Sequence, residues 1–263
     1  MGKQIAFQTV SLGSEPDTPD ISEVVSFVST HRGKEADLVT VLLSASVRPQ
    51  VTAGIAQVCS GGRFYKQRFC EYYKDADENL SFLTSGEVLH AMQCDARHAV
   101  SEAKRCSFAL VGPSRLDPLG SVSGADWADD CFSFYRSIRR TMRDAGIAGH
   151  VIHDACDSVD TIEGLSGSKV VLFPDNVTVT VLENLLEFQK TVAVTDEQYS
   201  LIPPLLEQYE IRKLILIRPS KKTLSGVLEL MDPDALLVGG YRKEDSPPAE
   251  EYWDGVICDS LYS

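Results

Sequence analysis

The sequence predicts an α/β protein built on a largely parallel β-sheet. Two observations carry that prediction: short, near-continuous apolar runs bounded by turn residues, and amphipathic stretches at helical spacing between them. From residue 107 the runs recur at regular intervals, at 107–112, 150–153, 169–173, 191–195, 213–217, 235–239 and 255–258. Unbroken apolar character, rather than alternation, belongs to strands covered on both faces, as in parallel sheets.

The preferred architecture is a doubly wound, flavodoxin-like sandwich over 106–263 with a smaller N-terminal α/β unit over 1–105. The alternative is a (β/α)8-type barrel, because the strand candidates are numerous enough to close one. The uneven rhythm of 49–105, broken by Gly61-Gly62, argues for the sandwich. Residues 4–12 read as a first strand and Ser14–Asp20, with Pro16 and Pro19, as a loop. A helix follows over 21–30, and the apolar run 38–44 reads as a second strand. Ser85 is placed to cap a helix over 87–104. The clearest helix is 126–145, with Trp127, Cys131, Phe134, Ile138 and Met142 on one stripe and Gly146 ending it. Further helices are read at 178–189 and 197–209.

The chain has 263 residues and a formal net charge of −13. Nucleic-acid binders concentrate cations to displace counterions from phosphates, so that charge argues against nucleic acid, and also against an anionic membrane surface. A small anionic ligand stays open, because one basic spot suffices for it. The seven cysteines are odd in number, lack a C-x-x-C pair and read as reduced thiols in a cytoplasmic protein. No segment reads as a signal peptide or membrane span, and no motif specifies a cofactor or a metal.

Residues 125–195 resemble a known family. A long helix ending in Arg143-Asp144-Ala145-Gly146-Ile147 leads to His150-Val151-Ile152-His153. Leu165-Ser166-Gly167 and the run 169–174 follow, then a helix with Leu182, Leu185, Leu186 and Phe188, then Thr191–Thr195. This pattern is similar to the class I glutamine amidotransferase-like fold, in the form of the trimerisation domain of some β-galactosidases. The resemblance implies a homo-oligomer or a partner-docking module without catalysis. It does not carry glutaminase activity across, because no Gly-x-Cys-x-Gly nucleophile elbow is present and Asp196-Glu197 follow the strand at 191–195.

Ligands of open parallel sheets bind beyond the carboxyl ends of the strands, and this rule selects the candidate residues. The loop 112–124 supplies Ser114 and Arg115, with small residues that let backbone amides approach an anion. Arg218, Ser220 and Lys221 end the strand at 213–217, and offer a planar fork and a point charge for phosphate or carboxylate. Ser220 equally suits a helix cap. His153 and Asp154 end the strand at 150–153. Cys156 beside them is a weak nucleophile candidate, because neighbouring carboxylates raise a thiol pKa; no catalytic residue is assigned. His90, Cys94 and His98 lie on one helical face, but i and i+8 stand about 12 Å apart along a helix, too far for one metal. The aromatic, basic run 63–73 reads as packing rather than base stacking. The favoured function is thus a small-molecule binder or enzyme for an anionic metabolite, with partner docking as the alternative.

Overall fold

The computed structural model describes residues 5–31, 36–73, 86–116 and 125–262. The strands are β1 (Ile5–Ala6), β2 (Gln8–Ser14), β3 (Cys59–Gly61), β4 (Ser107–Val111), β5 (His150–Asp154), β6 (Val170–Pro174), β7 (Thr191–Thr195), β8 (Lys213–Ile217), β9 (Leu236–Arg242) and β10 (Leu261–Tyr262). The helices are α1 (Ile21–Thr30), α2 (Leu38–Ala53), α3 (Lys66–Tyr73), α4 (Gly86–Glu102), α5 (Ala125–Asp144), α6 (Val159–Leu165), α7 (Val179–Phe188), α8 (Ile202–Leu206), α9 (Lys221–Leu228) and α10 (Ala249–Asp259). Each strand from β2 to β9 is thus followed by at least one helix. The predicted cap at Ser85, most of the loop 112–124 and the Trp127 side chain lie outside what is described.

The strands pair in two four-stranded parallel sheets, β3-β4-β5-β6 and β2-β9-β8-β7. The two sheets meet along both edges. Between β2 and β3, Ser11 N donates to Gln57 O (2.9 Å) and Gln57 N to Thr9 O (3.0 Å). Between β6 and β7 no ladder forms. There the Gln189 amide stands in for one, its Oε1 accepting from Leu172 N (2.9 Å) and its Nε2 donating to Leu172 O (3.2 Å) and Thr191 O (2.8 Å). The strands therefore run in chain order around a ring, the arrangement of a (β/α)8-type barrel. Its interior is a separate apolar cluster of Val10, Leu12, Cys59, Ala109, Val151, Ala193, Ile215, Leu237 and Tyr241, with Phe173 of β6 packed on it. A larger cluster fills the layer between strands and helices.

This topology corrects the flavodoxin-like expectation. A doubly wound sheet reverses its strand order at a switch point; here β4-β5-β6 and β7-β8-β9 each run in sequence. The expected boundary at 105/106 falls between β3 and β4, which are hydrogen-bonded neighbours, and β2 pairs with β9. Residues 125–195, which carry the amidotransferase-like resemblance, form α5 to β7, consecutive units of the ring.

Two strand expectations are also corrected. Residues 38–44 open α2, because Asp37 and Thr40 form a capping box, with Thr40 N donating to Asp37 Oδ1 (3.0 Å). Val39, Leu43, Val47 and Gln50 are then buried at helical spacing. Residues 255–258 lie in α10, which buries Ala249, Tyr252, Trp253 and Val256 at i, i+3, i+4 and i+7. The predicted helix 197–209 is a 3₁₀ turn over Tyr199–Leu201 followed by the short α8. All seven cysteines are free. Among the described residues no helix is long and apolar enough to cross a membrane.

The aromatic run packs as expected around a buried ion pair. Tyr65 and Phe69 are core residues. Arg68 donates from Nε to Asp95 Oδ2 (2.8 Å) and from Nη2 to Asp95 Oδ1 (2.9 Å), and Tyr65 Oη also donates to Asp95 (2.8 Å).

Candidate functional site

The carboxyl ends of β2, β3, β4, β5, β6 and β9 bring charged residues to one mouth of the ring. Glu15, just past β2, is buried, and its carboxylate accepts from Arg63 N (2.6 Å), Phe64 N (3.0 Å) and Tyr241 Oη (2.8 Å). Three donors thus satisfy this buried carboxylate. Gly62 makes this approach feasible, since a Cβ there would stand 2.7 Å from Glu15 Oε1.

Glu15 thereby fixes the backbone at Arg63, whose side chain crosses the mouth. Arg63 Nη2 donates to Asp175 Oδ1 (2.7 Å) at the end of β6, and its guanidinium lies 5.4 Å from the centre of the Tyr241 ring. Arg115 Nη2 reaches the other oxygen, Asp175 Oδ2. One carboxylate is thus shared between two guanidiniums from different strands, and the trio carries a net positive charge. The Nε of each arginine is buried without a hydrogen-bond partner.

Asp154 sets the position of Arg115. Its Oδ1 accepts from Ser114 Oγ (2.5 Å) and Ser114 N (3.0 Å), while Ser114 Oγ accepts from Ala155 N (2.9 Å). These bonds hold the 3₁₀ turn Pro113–Arg115. Gly112 leaves room for the carboxyl, since a Cβ there would lie 2.4 Å from Asp154 Oδ1. Burial raises the Asp154 pKa against the Ser114 bonds, and Oδ2 is buried without a partner.

His153, its neighbour on β5, faces the interior between Tyr241 (4.5 Å between ring centres) and Phe173 (5.1 Å). Its Nε2 lies 2.7 Å from the Leu12 carbonyl oxygen, which only accepts, so Nε2 carries the proton and Nδ1 is a bare acceptor. Burial pulls the His153 pKa down to about 4. Cys156 is buried at φ 54°, and burial with Asp154, Asp175 and Asp157 nearby pushes its thiol up to about 12, which opposes a nucleophilic role.

A cavity of about 390 Å³ opens beside the trio, lined among others by Arg63, Asp175, Gln198, Tyr241 and Lys243. Ser114, Arg115, His153 and Asp154, all expected from the sequence, meet around this mouth. Arg218, Ser220 and Lys221 stand apart from it. Arg218, at φ 49°, pairs through Nε with Asp259 of α10 and lies 5.3 Å from the Tyr252 ring centre. Ser220 caps α9, its Oγ accepting from Thr223 N (3.2 Å), and Lys221 is exposed in the first turn. Arg63, Glu15, Tyr241 and Lys243 were absent from the expected set. Arg63 follows Gly61-Gly62 and a three-residue strand, too short for an apolar run to reveal.

Among the described residues no three His, Cys, Asp or Glu side chains stand together as a metal site. Cys94 Sγ lies 3.9 Å from His90 Nε2 on α4.

Fold and mouth together define a parallel α/β barrel protein with a charged, concave face at the carboxyl ends of its strands. A solved structure from Listeria monocytogenes, described provisionally as a vitamin-B12-independent methionine synthase, matches it with a TM-score of 0.61 and 12% identity, covering 98% of this chain and 97% of that one. At that identity the likeness is one of fold. A sugar phosphate isomerase/epimerase from Parabacteroides distasonis aligns over 95% of this chain and 96% of its own at 10% identity, but its TM-score of 0.39 carries no weight. No protein-family model matches the chain, and no curated protein matches it in sequence.

Proposed function

We propose that the barrel mouth binds a small anionic metabolite at the Arg63–Asp175–Arg115 bridge, in the cavity that Arg63, Asp175, Tyr241 and Lys243 line. The observation that carries this reading is the Arg63–Asp175–Arg115 bridge. It holds two guanidiniums together with one carboxylate between them, and leaves both buried Nε–H groups without an acceptor. Buried donors without acceptors are costly, and an incoming carboxylate or phosphate supplies what they lack. His153 and Asp154 support the site from beneath rather than reach the cavity: His153 braces Tyr241, and Asp154 holds the Arg115 turn. The similarity to the Listeria protein brings a fold and no substrate.

The test is a thermal-shift screen of wild type, Arg63→Gln and Arg115→Gln against carboxylates, sugar phosphates and nucleotides. A ligand that binds only the native state raises its stability by RT ln(1 + [L]/Kd). A shift in wild type that both variants lose supports the reading. No shift with any anion refutes it.

One observation favours a second reading, docking of a partner or another copy. Helix α1 buries no residue and exposes Ile21 (84%), Val25 (58%) and Val28 (41%) along one stripe. Sedimentation of wild type and Val25→Asp tests it, since an association that the variant abolishes supports docking and a monomer in both removes it.

A further inference from the structure

We propose that a second anion site lies at the end of the barrel away from the mouth, on the C-terminal half of α5, and that it takes a small phosphate-bearing dianion. Arg136, Arg139, Arg140 and Arg143 stand at i, i+3, i+4 and i+7, so they share one face of α5. In a chain of net charge −13 this is a local excess of the opposite sign. Among the described residues none of the four pairs with a carboxylate, Asp144 included.

Arg139 is the anchor. It is only 7% exposed, and its Nη1 donates to Leu165 O (2.5 Å) and Ser166 O (3.3 Å) at the C-terminus of α6. Gly167 lets the turn that follows close against this guanidinium, since a Cβ there would come within 3.3 Å of Nη1. His150, at the start of β5, is 2% exposed, and its Nε2 has no hydrogen-bond partner. Burial, then Arg139 and Arg143, hold its pKa down to about 3, so it is electrostatically coupled to the stripe.

The C-termini of α5 and α6 each offset roughly half a charge. With Asp144 counted as well, the four guanidiniums keep a surplus of about +2. That surplus matches a dianion, which the exposed Arg136, Arg140 and Arg143 flank above the buried Arg139. Guanidinium forks suit the oxygens of a phosphate.

The test uses the full-length, ¹⁵N-labelled chain titrated with inorganic pyrophosphate, beside an Arg136→Gln/Arg143→Gln variant. Both substituted positions are exposed, so the thermal midpoint should hold. The expected result is saturable shifts of the His150, Gly167 and Ser168 amides, with affinity at least about tenfold weaker in the variant. The His150 ring should also titrate at higher pH with pyrophosphate bound. Absence of saturable shifts up to tens of millimolar, or equal affinity in the variant, overturns the proposal. So do shifts confined to Gly62, Arg63 and Ser114, an outcome that leaves the mouth reading standing.

Discussion

Ser114 gives Asp154 two hydrogen bonds, one from its backbone nitrogen and one from its hydroxyl, onto the same carboxyl oxygen. Through that pair a residue on the helix-facing side of β5 decides where Arg115 stands at the mouth. Asp154 is therefore a positioning residue, and its Oδ2 is buried without a partner.

The first prediction concerns Asp154 itself. Its pKa is raised in the folded chain, so ionisation costs stability as pH rises through the folded value, and protonation removes that cost. Asp154→Asn keeps the acceptor and loses the charge, so it should match or exceed wild-type stability at pH 7. Asp154→Ala should lose about 1–3 kcal/mol and weaken anion binding with it. Urea unfolding and titration of both variants check this; an asparagine variant as damaged as the alanine one contradicts it.

Two buried histidines make the fold acid-sensitive. Burial lowers His150 to about 3 and His153 to about 4. Their contribution to stability is complete above the ordinary histidine pKa and fades as pH falls through the folded values. Each should cost about 1.4 kcal/mol per pH unit below roughly pH 6.5. Denaturant midpoints between pH 7 and pH 5 should fall less steeply in His153→Gln than in wild type, and parallel slopes would exclude the mechanism.

The Arg68–Asp95 pair is fully enclosed, with Arg68 4% and Asp95 2% exposed. Asp37 and Glu71 still pair with Arg68 when Asp95 is removed, but the buried Arg68 Nε and Tyr65 hydroxyl lose their acceptor, so Asp95→Ala should cost about 1–3 kcal/mol. The double change Arg68→Met/Asp95→Leu should recover part of that, because it strands only the Tyr65 hydroxyl. Chemical denaturation of the three proteins decides; an additive double variant would count against the argument.

The ring closes between β6 and β7 through one side chain. Gln189→Ala deletes three hydrogen bonds to Leu172 and Thr191, at about 1 kcal/mol each. Hydrogen exchange should then quicken at the Leu172 amide before it changes in β4 or β8. Uniform exchange along all strands would show that the seam is held by something else.

Much of this fold is visible in the sequence, and the reasons differ by element. The strands from β4 to β9 show as apolar runs because both their faces are covered. Residues 38–44 misled because a short β-branched run is equally a buried helix turn, and only the capping pair Asp37 and Thr40 separates the two. Ring closure is not legible, since it rests on a single bridge at Gln57 and on the Gln189 amide, neither of which has a pattern. At the site, Ser114 and Arg115 follow from the strand-end rule. Arg63 does not, because β3 is only three residues long. Arg218 satisfied the same rule, yet its backbone turns it to Asp259, a partner that lies 41 residues away.

The central claim is that Asp175 occupies, inside the protein, a place that an external anion competes for. Calorimetric titration with the anion that the screen selects tests this most directly, in wild type, Arg63→Gln and Asp175→Asn. Arg63→Gln should weaken binding by roughly tenfold or more. Asp175→Asn, which frees both guanidiniums of their internal counterion, should tighten it. Affinities that move in opposite directions are the result this account predicts; an affinity unchanged in both variants would contradict it.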